Sequence, residues 1–311
     1  MSLERIREYI ESRTLRNRIL FTGTRRRMTS VTVRGDQMAR ELGGYCLRSK
    51  YLTDAAVKSS PAVVWVVEHS PELLKRFSAS SPQILDVINP PGPDWYLQIP
   101  DRFQSFRYLM LNTASSLEYL GQEPEKGWKW WVVPHHHCNF SGYQLAEARV
   151  ERPLTIGYVG QPEHLHDSES IEACVSKLGL KWLSADTRDL DGYKNIDIGV
   201  AWTRRDKLRD ETRSNIKLAN FAAHGIPSVV CAYESYRDVD ARLGGGATIV
   251  CSTLGELLEG LAEIVENPDQ RVAIAKKARP ALEMYSIQAI GGQYRQIISE
   301  ARADFDRQSP R

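Results

Sequence analysis

A basic loop in the second half of the chain ends in several groups that could bind a phosphate anion. The loop contains Arg204 and finishes with Arg213, Ser214 and Asn215. Serine and asparagine are favourable N-cap residues, so a helix is predicted to begin there and to run past Lys217. A helix N-terminus has unpaired backbone N–H groups and a partial positive charge, to which Arg213 and Lys217 would add two cations. This arrangement suits a diphosphate group, and an ordinary capped helix is the alternative.

A buried strand is predicted after that helix, and it leads to Glu234, Ser235 and Tyr236. Ligands of doubly wound proteins bind at the carboxyl ends of the parallel strands. A carboxylate at such a position could accept hydrogen bonds from sugar hydroxyls. Glu234 is therefore a candidate for substrate binding or catalysis, with a surface salt bridge as the alternative.

A loop near the start of the chain combines glycine with basic residues. The sequence T-G-T-R-R-R includes Gly23, Thr24 and Arg25 and follows the first predicted strand. Glycine allows the backbone to approach a ligand closely, and arginine could bind a phosphate or an acidic acceptor. The loop does not match G-x-G-x-x-G, so it carries no dinucleotide fingerprint. An exposed basic turn is the alternative.

Glu68 and His69 directly follow the most apolar run of the chain, at 62–67. That run is predicted to be a strand, so both side chains would lie at its carboxyl end. A carboxylate or an imidazole there could accept the proton of an acceptor hydroxyl as a general base. The alternative is that both residues belong to the N-terminal cap region of a helix.

Three tryptophans lie close to two lysines near residue 130. They are Trp128, Trp130 and Trp131, with Lys126 and Lys129. Such a cluster could rest on a membrane interface or stack on a sugar or a base. Packing in the core is the alternative interpretation.

Short apolar runs alternate with helical patterns along the whole chain, which is typical of βαβ units around parallel sheets. A polar stretch at 139–153, broken by glycine and proline, interrupts this alternation. We therefore predict two Rossmann-like, doubly wound α/β domains, 1–145 and 146–311, facing a cleft. The last helix, predicted near 287–305, could cross back to the first domain.

Composition narrows the class of protein. The chain has 311 residues, of which 42% are hydrophobic and 26% charged, as in an ordinary globular protein. It has no apolar run of the roughly 20 residues that span a bilayer and no signal peptide, and its five scattered cysteines suit a reducing cytoplasm. The first 50 residues carry twelve basic and five acidic side chains, which suits a phosphate, a nucleic acid or an acidic membrane surface.

An ordered set of motifs in the second half resembles the donor-binding domain of GT-B-type glycosyltransferases of the family 1 and family 4 kind. The set comprises the Gly-x-x-Gly turn at 157–160, the Asp-Ile-Gly strand at 197–199, the run RSNIKLANFAAHGIPSVV followed by ESY, and the helix NPDQRVAIAKKARPALEMYS. The resemblance covers roughly 151–300 and implies a GT-B fold. It further implies that the second domain binds a nucleotide-sugar donor and the first an acceptor.

The resemblance also implies roles for individual residues. Arg213, Ser214, Asn215 and Lys217 would hold the diphosphate, in the basic loop that also contains Arg204. Other positions would lie around the donor: Gly160 in the glycine turn, and Ser235 and Tyr236 beside the sugar or the ribose.

A run of three histidines precedes the predicted linker. On an extended chain His135 and His137 share a face and could bind a metal together, with Cys138 and His164 among the few other donors nearby in sequence. GT-B-type sequences often have a similar Pro-His-His turn at this point. We therefore expect His135 and His137 to be hinge residues, and no metal site.

Two features depart from the family pattern. Many retaining members have two glutamates eight residues apart, and the corresponding positions here are Thr212 and Asn220. The Arg…Lys pair that often follows the glycine turn is also missing from QPEHLHDSES. Retention or inversion of the anomeric configuration is therefore left open.

These observations together predict a cytoplasmic, metal-independent glycosyltransferase. It would transfer a sugar from a nucleoside diphosphate donor to a saccharide, a lipid-linked saccharide or another hydroxyl acceptor, without a cofactor. Alternatives are a nucleotide-sugar epimerase, a glycosyltransferase that acts on modified DNA, and a non-catalytic nucleotide-sugar-binding module. Peripheral membrane contact would accompany a lipid-linked acceptor.

Overall fold

The computed structural model of the chain forms two compact units. It describes residues 18–23, 31–66, 73, 76–77, 80–88, 108–116, 129–145, 154–186, 190–203 and 211–308. The first unit comprises Met1–Pro134 and Ile287–Arg311, and the second comprises His135–Ser286. Each unit contains one sheet in which all described strand pairs are parallel, so the predicted class of two parallel-sheet α/β units is confirmed.

The strands are β1 (Leu20–Gly23), β2 (Tyr45–Arg48), β3 (Val63–Val66), β4 (Gln83–Val87), β5 (Tyr108–Leu111), β6 (Lys129–Val132), β7 (Thr155–Val159), β8 (Lys181–Ala185), β9 (Ile198–Ala201), β10 (Ser228–Cys231) and β11 (Ile249–Cys251). The α-helices are α1 (Met38–Glu41), α2 (Asp54–Ser59), α3 (Ser168–Lys177), α4 (Ile216–Ala223), α5 (Glu234–Arg242), α6 (Leu254–Glu266), α7 (Pro268–Ala278), α8 (Ala281–Met284) and α9 (Ile287–Gln308). A π-helix (Val31–Gln37) leads into α1, and short 3₁₀ turns occupy Ser49–Tyr51, Pro162–His164 and Leu190–Asn195.

The first sheet has the strand order β2-β1-β3-β4-β5-β6. Strands β1, β3, β4 and β5 are buried along their whole length, which explains why their sequences are continuous apolar runs. The edge strands β2 and β6 are partly exposed. The chain turns from β1 to β2 on one side and continues to β3 on the other, so the topological switch point of this sheet lies between β1 and β3.

A buried ion pair joins the π-helix to β4, and a tyrosine of the C-terminal helix α9 binds to the same carboxylate. The Arg34 guanidinium donates to both carboxylate oxygens of Asp86, at 2.8 and 2.7 Å, and to the carbonyl oxygen of Val133 at 2.8 Å. Tyr294 of α9 donates its hydroxyl to Asp86 at 2.6 Å. Burial lowers the pKa of Arg34, but Asp86 and Tyr294 more than offset this effect and the pKa is raised above its ordinary value.

The second sheet has the order β11-β10-β9-β7-β8, and its switch point lies between β7 and β9. Close packing between the sheet and α4 at this point explains why the predicted Asp-Ile-Gly strand has a glycine at position 199. A Cβ atom at Gly199 would lie 2.6 Å from the ring of Phe221 on α4. The helix can therefore approach the middle of the sheet only because position 199 has no side chain.

Most predicted elements are confirmed within two or three residues, and the differences have local causes. The helix predicted from Pro268 to Met284 is two helices, because Pro280 has no N–H group and its ring would clash with the carbonyl four residues earlier. The sequence pattern also predicts one helix over Gly35–Leu42, closed by the glycines that follow, and the structure forms the end of the π-helix and α1 there. Helix α2 lies between β2 and β3, where the alternation of the sequence predicts a helix without giving its bounds, whereas α5 was not predicted.

In the cluster of tryptophans near residue 130, one described tryptophan packs against a neighbouring ring and another is exposed. Trp131 stacks on Tyr108 of the neighbouring strand, with ring centroids 6.3 Å apart, whereas Trp130 is 42% exposed. Lys129 pairs with Asp304 at 3.3 Å, and Trp128 lies outside the described residues. Among the helices that the structure describes, none is long and apolar enough to cross a membrane.

Candidate functional site

Lys217 lies in the first turn of α4, where its ammonium group packs against an aromatic ring. Its Nζ is 4.8 Å from the ring centroid of Tyr158, at the end of β7. Burial and repulsion from Arg213 lower the pKa of Lys217 to about 8. The two basic residues are thus close enough to repel each other. An anion placed between them would relieve this repulsion.

Gly160 is required by the packing of Tyr158. A Cβ atom at position 160 would lie 2.6 Å from ring atom Cε1 of Tyr158, and still closer to its hydroxyl. The Tyr158 hydroxyl donates to the carbonyl oxygen of Gln161 at 3.3 Å. The Gly-x-x-Gly turn therefore lets the tyrosine ring fold back over the end of its own strand, where it contacts Lys217. Direct contact between Gly160 and a donor stays a prediction.

Asn215 stands at the N-cap of α4, as predicted, but its side chain does not cap the helix. Its Oδ1 accepts a hydrogen bond from the backbone N–H of His135 at 2.8 Å, and its Nδ2 donates to the His135 carbonyl at 3.4 Å. The prediction that Asn215 contributes its side chain to a diphosphate site therefore competes with this structural role. The first backbone N–H groups of α4, together with Arg213 and Lys217, can still bind an anion, and the part of the buried Ser214 in such a site stays a prediction.

Two further amides attach the segment after Pro134 to α4, and sequence reasoning did not anticipate them. Asn220 accepts from the backbone N–H of Cys138 at 2.8 Å, and Asn139 donates to the carbonyl oxygen of Ala223 at 2.9 Å. Asn220 occupies a position where many retaining GT-B-type sequences have a glutamate. A long-range contact between side-chain amide and backbone explains the asparagine here.

His137 is held as a neutral imidazole. Its Nδ1 accepts from the backbone N–H of Asn139 at 3.1 Å, and its Nε2 lies 2.8 Å from the carbonyl oxygen of Leu282, to which it donates. Burial lowers its pKa. His135 is also buried, with its backbone held by Asn215. No group of three or more His, Cys, Asp and Glu side chains in the described part of the chain could hold a metal ion.

The N-terminus of α5 brings a second set of predicted residues to the carboxyl end of β10. Glu234 is the first residue of the helix and is partly exposed, with Arg237 at 3.9 Å. The Oγ atom of Ser235 is buried and has no hydrogen-bond partner in the described structure. Tyr236 is buried against the ring of Tyr233, with centroids 5.3 Å apart, and burial raises its pKa. Ser235 and Glu234 are therefore better placed to meet a ligand than Tyr236.

Several predicted residues lie outside the described part of the chain: Thr24, Arg25, Glu68, His69 and Arg204. The strands before the two first-unit loops are described, and their pairing is informative. Gly23 ends β1, and a Cβ atom there would lie 3.2 Å from the carbonyl oxygen of Val66, the last residue of β3. These two loops therefore leave the sheet from adjacent strands at its switch point, where ligands of doubly wound sheets bind.

Comparisons with solved structures match both units. HepE from Anabaena, in complex with UDP and glucose, has a TM-score of 0.63 and 8% sequence identity, with 91% of this chain and 99% of HepE covered. A glycosyltransferase from Rickettsia africae has a TM-score of 0.60 and 9% identity, covering 92% and 98%. The α,α-trehalose 6-phosphate synthase from Burkholderia multivorans has a TM-score of 0.58 and 9% identity, covering 93% and 99%. No protein-family model matches the chain, and no curated protein matches it in sequence.

Because the sequence identities are only 8–9%, these similarities show the fold and nothing more. The chain shares the architecture of these glycosyltransferases over more than nine-tenths of its length. The GT-B fold implied by the sequence resemblance is thereby confirmed. What the chain binds and what reaction it performs must be argued from its own residues.

Proposed function

We propose that the chain is a glycosyltransferase whose second unit binds a nucleoside diphosphate sugar. The observation that carries this proposal is the cluster of Arg213 and Lys217 at the start of α4, beside Tyr158 at the switch point of the second sheet. The fold adds support, since HepE, to which this chain is similar, was solved with UDP and with UDP-glucose.

The diphosphate is the group that this cluster suits best. Its negative charge would favour the protonated form of Lys217, whose pKa of about 8 reflects burial and the repulsion from Arg213. The N–H groups at the start of α4 would donate hydrogen bonds to the same oxygens. The orphaned Ser235 hydroxyl on α5 supplies a further hydrogen-bonding group near the carboxyl end of β10.

In the transfer itself, the bond between the anomeric carbon and the diphosphate oxygen breaks, and a bond to the acceptor oxygen forms. The leaving diphosphate gains negative charge in the transition state, so cations already in place lower the barrier. The acceptor hydroxyl must lose its proton, for which Glu68, His69 and Glu234 are our candidates. We also propose that protein cations, without a bound metal or other cofactor, neutralise the leaving group.

The acceptor we propose is a saccharide or a lipid-linked saccharide. We further propose that the protein works in the cytoplasm, because its five cysteines are free thiols. An enzyme that modifies DNA would need phosphate contacts, and the basic residues of the loop after β1 that could provide them lie outside the described part of the chain.

The experiment is a thermal-shift screen of UDP, GDP, CDP, TDP and their sugar conjugates, with NAD as a control. A ligand present at a hundred times its Kd adds about 2.7 kcal/mol to the stability of the native state. We expect a shift with one nucleotide that is reduced in Arg213→Ala and in Lys217→Met. Lys194→Ala serves as the matched control, because Lys194 pairs with Asp191 on the surface of the same unit.

No shift with any nucleotide diphosphate at millimolar concentration would contradict the proposal. Donor binding without release of the nucleotide diphosphate, over a broad panel of acceptors, would instead indicate a nucleotide-sugar-binding module. Equal losses in Lys217→Met and Lys194→Ala would show that general surface charge, and not this cluster, binds the donor.

A further inference from the structure

Asn112 is a buried amide whose hydrogen-bonding capacity is left unused by the part of the chain that the structure describes. It is only 4% exposed, and neither its Oδ1 nor its Nδ2 has a hydrogen-bond partner among the described residues. A buried polar group without a partner costs about 1–3 kcal/mol, so such groups are rare in folded proteins. An amide that leaves both its donor and its acceptor unused is therefore a strong indication of a ligand.

The position of Asn112 in the fold supports the same conclusion. It is the first residue after β5, whose last residue, Leu111, pairs with Val87 of β4 and Val132 of β6. Asn112 thus lies at the carboxyl edge of the first sheet, where ligands of parallel sheets bind. The turn that follows is ordered by its own side chains, since the hydroxyls of Thr113 and Ser116 are 2.8 Å apart.

The charges that the structure describes beside Asn112 favour a neutral ligand. Among the residues that the structure describes there, Arg34 is a buried cation, and each of its three guanidinium nitrogens donates a hydrogen bond, two to Asp86 and one to the carbonyl oxygen of Val133. A carboxylate or a fully ionised phosphate could accept from the Asn112 N–H groups but could not donate to its carbonyl oxygen. A hydroxyl does both, so adjacent sugar hydroxyls would satisfy the whole amide.

We propose that Asn112 binds the hydroxyl groups of a neutral saccharide, which is the acceptor of the transfer reaction. This inference rests on the proposed function, and it narrows the acceptor to a sugar that presents uncharged hydroxyls to the first unit. Its binding energy comes from hydrogen bonds that Asn112 does not make with the described residues of the free protein, so a deoxy analogue would be bound much less well.

The experiment uses the full chain and two variants. Asn112→Leu keeps the branched shape of the side chain and removes both polar atoms. Thr22→Val is the matched control, because the Thr22 hydroxyl is also buried and without a partner in the described structure, three strands away on β1. Thermal unfolding is measured first, and then the release of nucleotide from the donor that the wild-type protein binds. The acceptor probes are methyl glycosides of glucose, galactose, mannose and N-acetylglucosamine, together with glucose 6-phosphate.

We expect both variants to unfold a few degrees higher than the wild type, because each loses an unsatisfied buried polar atom. A neutral glycoside should accelerate nucleotide release by the wild type and by Thr22→Val. In Asn112→Leu that acceleration should fall at least tenfold, while the melting shift caused by the donor nucleotide stays unchanged.

Several results would overturn the inference. Asn112→Leu could unfold several degrees lower than the wild type, which would show that the amide makes structural hydrogen bonds. The variant could also retain the acceleration, or glucose 6-phosphate alone could accelerate release. Donor binding without acceleration by any neutral glycoside would likewise reject this acceptor class. The proposed function fails separately, if the wild type shows no melting shift with any nucleotide diphosphate.

Discussion

Replacing Arg34 by methionine should be one of the most damaging substitutions in the first unit. The Arg34–Asp86 pair is almost completely buried, with side-chain exposures of 1% and 0%. Methionine fills most of the space of the arginine side chain, so the cost comes from lost polar contacts. The Asp86 carboxylate would keep the Tyr294 hydroxyl but lose two charged donors, and the Val133 carbonyl would lose its bond from Arg34.

Removing one partner of a buried ion pair lowers the free energy of unfolding by about 3–5 kcal/mol. Because the Val133 carbonyl also loses its donor, we expect the loss of stability to lie toward the upper end of that range. Since whole domains are stable by about 5–15 kcal/mol, Arg34→Met should unfold the first unit at a much lower urea concentration. The double variant Arg34→Met, Asp86→Leu removes the charge as well. It should recover part of the loss and retain about 2 kcal/mol for the Tyr294 hydroxyl and the Val133 carbonyl, both of which are left without a partner.

The assay is a urea titration followed by far-UV circular dichroism and tryptophan fluorescence. Because the chain has two units, each transition is fitted separately, and that of the second unit should stay in place. Arg76→Met is the matched control, since Arg76 and Asp54 form the same kind of bidentate pair on the surface, at exposures of 53% and 48%. The urea midpoint of Arg76→Met should be the same as that of the wild type, because exposed ion pairs contribute little to stability. A double variant as unstable as Arg34→Met would refute the argument that the uncompensated charge causes the loss.

Three further predictions concern the second unit. Affinity for the donor nucleotide should fall about tenfold between pH 7 and pH 9, because Lys217, with a pKa of about 8, loses its proton; isothermal titration of Lys217→Arg should show no such fall. His224 stacks on Tyr193 and has a pKa lowered from 6.5 to about 4 by burial, so folding stability should decrease by a few kcal/mol as the pH falls from about 6.5 to 4, and His224→Asn should flatten this profile in urea titrations. Gly160→Ala should displace Tyr158 and cost about 1–3 kcal/mol of stability together with donor affinity, whereas Gly292→Ala, where a Cβ atom meets open space on the exposed side of α9, should raise stability by about 0.5–1 kcal/mol and leave donor affinity unchanged. A Gly160→Ala protein with wild-type stability would mean that the Tyr158 ring has room to move.

Local sequence patterns determined the elements of this fold. The run at 62–67 predicts β3 because a strand covered on both faces needs apolar side chains throughout. The start of α4 was predictable at Asn215, and the cations Arg213 and Lys217 follow from their spacing around that start. These features depend on neighbours within a few residues, so the sequence alone carries them.

Partners far apart in the chain were decided only by the tertiary structure. The sequence predicts a ligand-binding role for Asn215, which stays a prediction, and the structure adds a hydrogen bond from the backbone N–H of His135, eighty residues earlier in the chain. Arg34 had no evident role until β4 and α9 brought Asp86 and Tyr294 to it. The sequence around Asn112 predicts no role for it, because an amide indicates a ligand only when burial removes water and no described group replaces that water. A side chain's chemistry is set by its type, but its available hydrogen bonds are set by what the folded chain places around it.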